Sequence, residues 1–246
     1  MLVIAGRVVE LDAHLGRLST SVEALYGRPL PARARTLVAD RAAGLDRGKL
    51  RLTATPTADA PRLQAEAEEI DPGAVFPGPE RAAALRSHLV AGGLGEHKWA
   101  DRDLLDRIAG ASPGELPLLL DADGAVLEGS RASVFVVDEE ELVTPPVDGR
   151  ILPSIARQHA IEAATGEKIR VREERLGLAD LHAHEVFLTG SVRGIEPARF
   201  LDGAELAPPG EISERLAGAL RCRWRVPAEE PVATAATAPP GGPHGH

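Results

Sequence analysis

Between residues 115 and 144 the chain reads ELPLLLDADGAVLEGSRASVFVVDEEELVT. Short runs rich in Leu, Val and Phe are cut by turn-forming residues. Asp123-Gly124 between two such runs is a strong hairpin signal, because both residues accept the positive φ of a tight turn. A second hairpin, ASVFVVDEEELVTPP (132–146), turns over an acidic run. Two successive hairpins commit this stretch to a sheet. Around it the sequence alternates element types. PSIARQHAIEAATG (153–166) reads as a helix with Pro153 and Ser154 at its start and Gly166 at its end. EKIRVREERL reads as a strand with alternating charges, HEVFLTGSVRGIEPARFLDG (184–203) as a buried strand, a small-residue loop and another strand, and GEISERLAGALRCRW as a last helix. The expected class is therefore mixed α/β (α+β).

The first half has its own signals. MLVIAGRVVEL reads as two strands about a Gly6-Arg7 turn. In residues 11–27, Leu11, Leu15, Leu18, Val22 and Leu25 recur at helical spacing, with Asp12 as the expected N-cap and Gly27 as the stop. A second helix is expected in ARARTLVADRAAGL, strands within residues 49–70, and a helix in DRDLLDRIAGA. The Pro- and Gly-rich DPGAVFPGPE (71–80) reads as a connection between two halves. We expect a small N-terminal lobe over 1–78, a larger lobe over 79–225, and a disordered tail over 226–246, where Ala, Pro and Gly dominate.

Composition excludes several classes of function. A net charge of −9 argues against a nucleic-acid surface, which needs a basic patch. The single cysteine, Cys222, permits no intrachain disulfide and no thiolate zinc cluster. The start of the chain lacks a basic leader and a cleavage site, and no apolar run approaches the ~20 residues that span a bilayer. The expectation is a reduced, cytoplasmic protein with no membrane partner and no metal; the His-x-His of HAHE (182–185) is too little for a metal site.

Lysine is scarce. Only Lys49, Lys98 and Lys168 are present, and every other cation is arginine. A lysine, unlike an arginine, can lose its proton when partly desolvated and then act as a nucleophile or form a Schiff base. Lys98 lies in GGLGEHKWADRDLL (92–105). The glycines ahead of it do not make a nucleotide loop, which requires Gly-Lys-Ser/Thr, and no G-x-G-x-x-G follows a strand.

Taken in order, HKWADRDLL, LLLDADGAVLEGSRASVFVV, LVTPPVDGRILPSIAR and HEVFLTGSVRGIEP resemble the fold-type IV pyridoxal-phosphate enzymes, the class IV aminotransferase family. The resemblance runs from about residue 6 to about residue 205. It implies the two-lobed architecture of the D-amino-acid aminotransferases, a homodimer, and pyridoxal 5'-phosphate as cofactor. Lys98 matches the lysine that holds the cofactor and then shuttles protons. Glu128 matches the carboxylate that keeps the pyridine nitrogen protonated, and the apolar strands beside it favour its burial. Arg17 matches the phosphate-binding arginine. Ile155 and Ala156, at a helix start, match the phosphate-binding backbone, although Ser-Ile-Ala replaces the usual Gly-Ile-Thr. Ser191 and Val192 match the loop that meets phosphate and substrate carboxylate. Arg102, where relatives carry Tyr or Arg, looks closest to the aminodeoxychorismate lyases, and implies a place near the cofactor ring.

The implied reaction is elimination of pyruvate from 4-amino-4-deoxychorismate, a small-molecule substrate, to give the folate precursor 4-aminobenzoate. The alternatives are amino-group transfer to a 2-oxo acid, of branched-chain or D-amino-acid type, and a truncated, non-catalytic relative. The last arises because the pattern is N-terminally short: the "GDGVFET"-like strand usual in the family has no counterpart here.

Overall fold

The computed structural model describes residues 1–227. Two sheets organise them. The first is antiparallel, in the order β2-β1-β3-β4, built from β1 (Leu2–Ile4), β2 (Arg7–Val8), β3 (Arg47–Thr55) and β4 (Arg62–Glu69). Between β2 and β3 run α1 (Leu11–Tyr26) and α2 (Ala34–Ala42). Val38 and Ala42 of α2 pack on Val3, Val8 and Leu50 to form a small apolar core.

The second sheet is larger and curled. Its strands are β5 (Ala83–Leu89), β6 (Leu116–Leu120), β7 (Val126–Gly129), β8 (Ser133–Asp138), β9 (Glu141–Thr144), β10 (Val171–Glu173), β11 (Glu185–Gly190), β12 (Gly194–Leu201) and β13 (Ala204–Glu205). The order is β10-β9-β8-β11-β12-β5-β6-β7, with β13 on β12. Three pairings are parallel: β9 with β10, β5 with β12, and β5 with β6. Three helices connect these strands, α3 (Asp103–Ala111), α4 (Ile155–Gly166) and α5 (Leu178–Ala183), and α6 (Glu211–Trp224) follows β13.

Side chains alternate along a strand, and both faces of this sheet are covered. Phe135 of β8 and Phe187 of β11 stack with ring centroids 5.1 Å apart on the face that α4 and α6 cover with Ala156, Ala160, Leu216 and Leu220. Val134, Val136, Val186 and Leu188 point the other way, into a second core with Leu85, Leu118 and Leu181. Burial on both faces explains why these strands read as continuous apolar runs. Leu2, Ile4 and Val9 of the N-terminal segment join the α4/α6 core beside Phe76 and Trp224, so the two sheets share apolar packing. No helix among the described residues is long and apolar enough to cross a membrane.

Several local expectations shift. The first turn is Ala5-Gly6, both at positive φ, because Ile4 pairs with Arg7 and closes a two-residue loop. Val9 still bonds to the sheet through Leu2, so α1 is entered through a left-handed Glu10 and Asp12 falls inside its first turn, where it pairs with Arg35. Gly166 is the last residue of α4, as expected, and the left-handed Lys168 follows two residues later. The strand expected over EKIRVREERL shrinks to the three residues of β10. Val226 is buried against the α4/α6 core; residues 228–246 of the expected tail lie outside the described residues.

Candidate active site

A cavity of about 880 Å³ opens between the two sheets, within the range that holds a cofactor-sized ligand. Its wall includes Arg17, Lys98, Arg102, Glu128, Ser191 and Val192, residues that come from four separate segments of the chain.

Lys98 sits in the loop between β5 and α3. Of the glycines ahead of it, Gly93 is the one that close packing requires. Gly93 has φ +69, and a Cβ on it would fall 2.1 Å from the Arg150 carbonyl oxygen. Gly93 N–H donates to Val90 at 2.9 Å and Gly95 N–H to Arg150 at 3.2 Å. Arg150 is itself held between Asp121 and Asp148. The loop is thus tied to the segment preceding α4. Lys98 is open to water through the cavity yet lies deep among protein atoms. That depth, with the nearby charges of Arg17 and Arg102, lowers its amine pKa to about 8, against the opposing pull of Glu128.

Glu128 lies in β7 and is only 8% exposed. Its one hydrogen bond among the described residues is a long one, 3.4 Å from the Leu152 N–H. Burial raises its pKa to about 7, although Leu152, Lys98 and Arg17 all favour the charged form. A buried carboxylate with so little support is suited to a cationic partner brought by a ligand.

Arg17 reaches from the middle of α1 and donates to the Pro153 carbonyl at 3.2 Å, just ahead of α4. Burial lowers its pKa, opposed by Glu128. At the N-terminus of α4, Ser154 Oγ accepts the Arg157 N–H at 3.3 Å. The side chains of Ile155 and Ala156 are buried in the core and do not line the cavity. What these two can offer an anion is their first-turn N–H groups, which a helix leaves without carbonyl partners. Replacing Ser154 with alanine removes the cap and is expected to cost about 1 kcal/mol of stability. Urea unfolding of Ser154→Ala reads this directly, and an unchanged midpoint would remove the cap from the account.

On the opposite wall, Ser191 and Val192 form the turn between β11 and β12. Gly194 closes that turn at φ +66, with the Phe76 ring where a Cβ would stand. Arg102 donates to the Ser130 carbonyl at 3.1 Å, at the end of the strand that carries Glu128.

The arrangement fits pyridoxal phosphate. An amine of lowered pKa, a buried carboxylate held by one long hydrogen bond, and an arginine beside a helix N-terminus share one cavity. Sequence reasoning missed other parts of the wall. His97 lines the cavity and meets Ser21 Oγ through Nδ1 at 3.1 Å, while Trp99 is half exposed at the cavity. Lys49 and Arg51 project from β3. The i, i+2 spacing of these two could have placed them on one face of the strand, but not on this wall.

Comparison with known proteins agrees with this geometry. Residues 1–200 match the family described as amino-transferase class IV. A putative branched-chain-amino-acid aminotransferase of Methanocaldococcus jannaschii is 39% identical over 114 residues, which is 44% of this chain and 40% of that protein. The chain thus aligns with well under half the length of that relative. A hypothetical aminotransferase from Mycobacterium tuberculosis, solved with alpha-ketoglutarate and PMP, superposes with a TM-score of 0.80 at 24% identity, covering 91% of this chain and 86% of that one. The 4-amino-4-deoxychorismate lyase of Pseudomonas aeruginosa gives 0.74 at 26% identity, covering 90% and 88%. With a family match over most of its length and the fold-type IV architecture throughout, this chain belongs to the class IV aminotransferases, a family of pyridoxal-phosphate enzymes.

Proposed function

We propose that this chain eliminates pyruvate from 4-amino-4-deoxychorismate to release 4-aminobenzoate. The observation that carries the choice is Arg102. It follows Lys98 closely in the chain, lines the cavity, and is fixed to the Ser130 carbonyl beside the Glu128 strand. An arginine at this point is what most resembles the lyase branch of the family. The likeness to the Pseudomonas aeruginosa lyase over nine-tenths of both chains is consistent with it.

Each residue then has a role set by its surroundings. Lys98 would hold the cofactor through Nζ and would take up and return protons at that atom. Its lowered pKa makes the neutral amine available near neutral pH. Glu128 presents a negative charge to the ring nitrogen. Arg17, Ser191 and the first turn of α4 bind the phosphate. When bound, pyridoxal phosphate supplies the electron sink that stabilises charge at the substrate carbon. The lobes on either side limit water at the reacting atoms. We extend the reading to a cytoplasmic homodimer, on the family resemblance and the single cysteine.

Amino-group transfer is the second reading, favoured by the Methanocaldococcus jannaschii relative. One assay separates the two. The lyase should release pyruvate and 4-aminobenzoate from 4-amino-4-deoxychorismate in equal amounts with no 2-oxo acid added. Product formation only when an amino donor and a 2-oxo acid are both present would replace the lyase with the transaminase. Silence in both assays would point to the non-catalytic relative.

A further inference from the structure

The loop that carries Lys98 and the hairpin that carries Glu128 meet at one side chain. Asp121 stands just past the end of β6, where the chain turns into β7. Its Oδ1 accepts the Gly92 N–H at 2.8 Å and the Ala122 N–H at 2.7 Å, and its Oδ2 accepts the Arg150 guanidinium at 2.7 Å. Gly92 opens the run GGLGEHK that ends on Lys98. One carboxylate therefore joins the Glu128 hairpin, the Lys98 loop and the segment over residues 148–154.

That segment touches every other part of the site. Arg150 is gripped on its far side by Asp148, and its carbonyl receives the Gly95 N–H at 3.2 Å. The Leu152 N–H reaches Glu128, the Pro153 carbonyl receives Arg17, and Ser154 caps α4. Between them Ile151 is buried with Leu105, Leu119 and Leu127, and Val90 and Leu94 of the Lys98 loop pack on this cluster. The joint is thus packed beneath and bonded above. Its bonds to a charged carboxylate are of the strong class. The Gly92 N–H first, and then Arg150, hold the Asp121 carboxyl down at about 2, so the joint stays charged at working pH.

We propose that Asp121 is a positioning residue for Lys98: it latches the loop of the amine to the Glu128 hairpin and to the 148–154 segment, and so sets the depth at which the amine stands. The proposal rests on the cofactor-dependent reading of Lys98 given above. Depth is the largest cause of the lowered pKa of that amine; Arg17, Arg102 and Arg51 add to it, and Glu128 opposes them. Releasing the loop admits water to the amine, so its pKa should climb from about 8 toward the ordinary 10.5.

The test reads Lys98 in the apoprotein, by acetylation with acetic anhydride over a range of pH and mass spectrometry of each lysine. The exposed Lys168 serves as internal reference. Asp121→Ala should raise the Lys98 midpoint by about one unit or more and leave Lys168 in place. Asp121→Asn and Arg150→Gln, which each break part of the latch, should raise it by less. Asp123→Ala is the control: Asp123 lies in the same turn but bonds to Ala125 and Arg175, so its loss should lower the urea midpoint without moving Lys98. Uptake of added pyridoxal phosphate near neutral pH, followed by its visible absorbance, should slow about tenfold in Asp121→Ala, because less of the amine is neutral. A lowered urea midpoint in Asp121→Ala with Lys98 unmoved would make Asp121 merely structural and overturn the proposal. An equal shift in Asp123→Ala would overturn it too. If Asp121→Ala does not fold, the two milder variants decide, and an unmoved Lys98 in both overturns it. Wild type that acquires no visible absorbance would sink the cofactor reading, whereas a Lys98 shift in the apoprotein would still show that Asp121 sets this amine.

Discussion

Lys98→Ala is expected to abolish the visible absorbance that wild type acquires on adding pyridoxal phosphate, and to lower turnover by about ten-thousand-fold. Two functions are lost together, covalent anchoring and proton transfer, and proton transfer alone contributes up to about 10⁴-fold in enzymes. Lys98 is open to the cavity and makes no ion pair with any described residue, so the fold should survive and thermal unfolding of the apoprotein should change little. A pH dependence follows from the lowered pKa. The neutral amine is the nucleophile, so cofactor uptake by wild-type apoprotein should rise about tenfold per pH unit below about 8 and level off above it. A guanidinium cannot show this, which is the physical reason a lysine stands here in a chain that otherwise uses arginine. An identical band in Lys98→Ala would mean that another amine holds the cofactor. Uptake insensitive to pH would mean that Lys98 is not the group that titrates.

The parts of the fold legible in the sequence are those fixed by neighbours. Asp123-Gly124 turns as its residue types demand, with Gly124 at φ +80. Ser154 caps α4, and Gly27 ends α1 in the left-handed conformation. What escaped was fixed by remote partners. Strand β5 carries Arg86, Ser87 and His88 and shows no clean alternation. It is a strand because β6 and β12 flank it in parallel, and both are distant in sequence. Helix α5, over part of the HAHE region, is likewise held by Leu181 in the second core. The site divides the same way. Lys98, Glu128, Arg102, Ser191 and Val192 are legible through the order of four motifs and Arg17 through the family resemblance, and all line one cavity. Lys49 and Arg51 belong to no motif, and their place on the wall depends on the pairing of β3 with β1 and β4, which no local pattern encodes. The excluded nucleotide loop has a positive counterpart as well, since Gly93 is required by the Arg150 carbonyl and not by a phosphate.

Glu128→Gln should make the apoprotein more stable and the enzyme worse. Glu128 is buried with a single long hydrogen bond, and burial raises its pKa from 4.5 to about 7. In the unfolded chain the carboxyl loses its proton near its ordinary value. Between pH 4.5 and 7 the folded state therefore binds more protons than the unfolded state, so stability falls as pH rises through that window and is flat above it. At pH 8 the full penalty is present, about 3 kcal/mol at 1.36 kcal/mol per unit. Glutamine keeps the shape without the charge, so apo Glu128→Gln should gain stability on that order at pH 8, and little at pH 4. Urea midpoints of both proteins across this range measure the difference. Adding pyridoxal phosphate should narrow it, because a protonated ring nitrogen supplies the charge that the carboxylate lacks. Turnover should fall by about 10²- to 10³-fold, the scale of losing one preorganised electrostatic contact. Equal stability of the two apoproteins at pH 8 would mean that Glu128 is solvated or paired when folded. Unchanged turnover would mean that the charge does not face the reacting system. A group that destabilises the empty protein and is relieved by its ligand is placed for that ligand, and the two measurements test both halves of that statement.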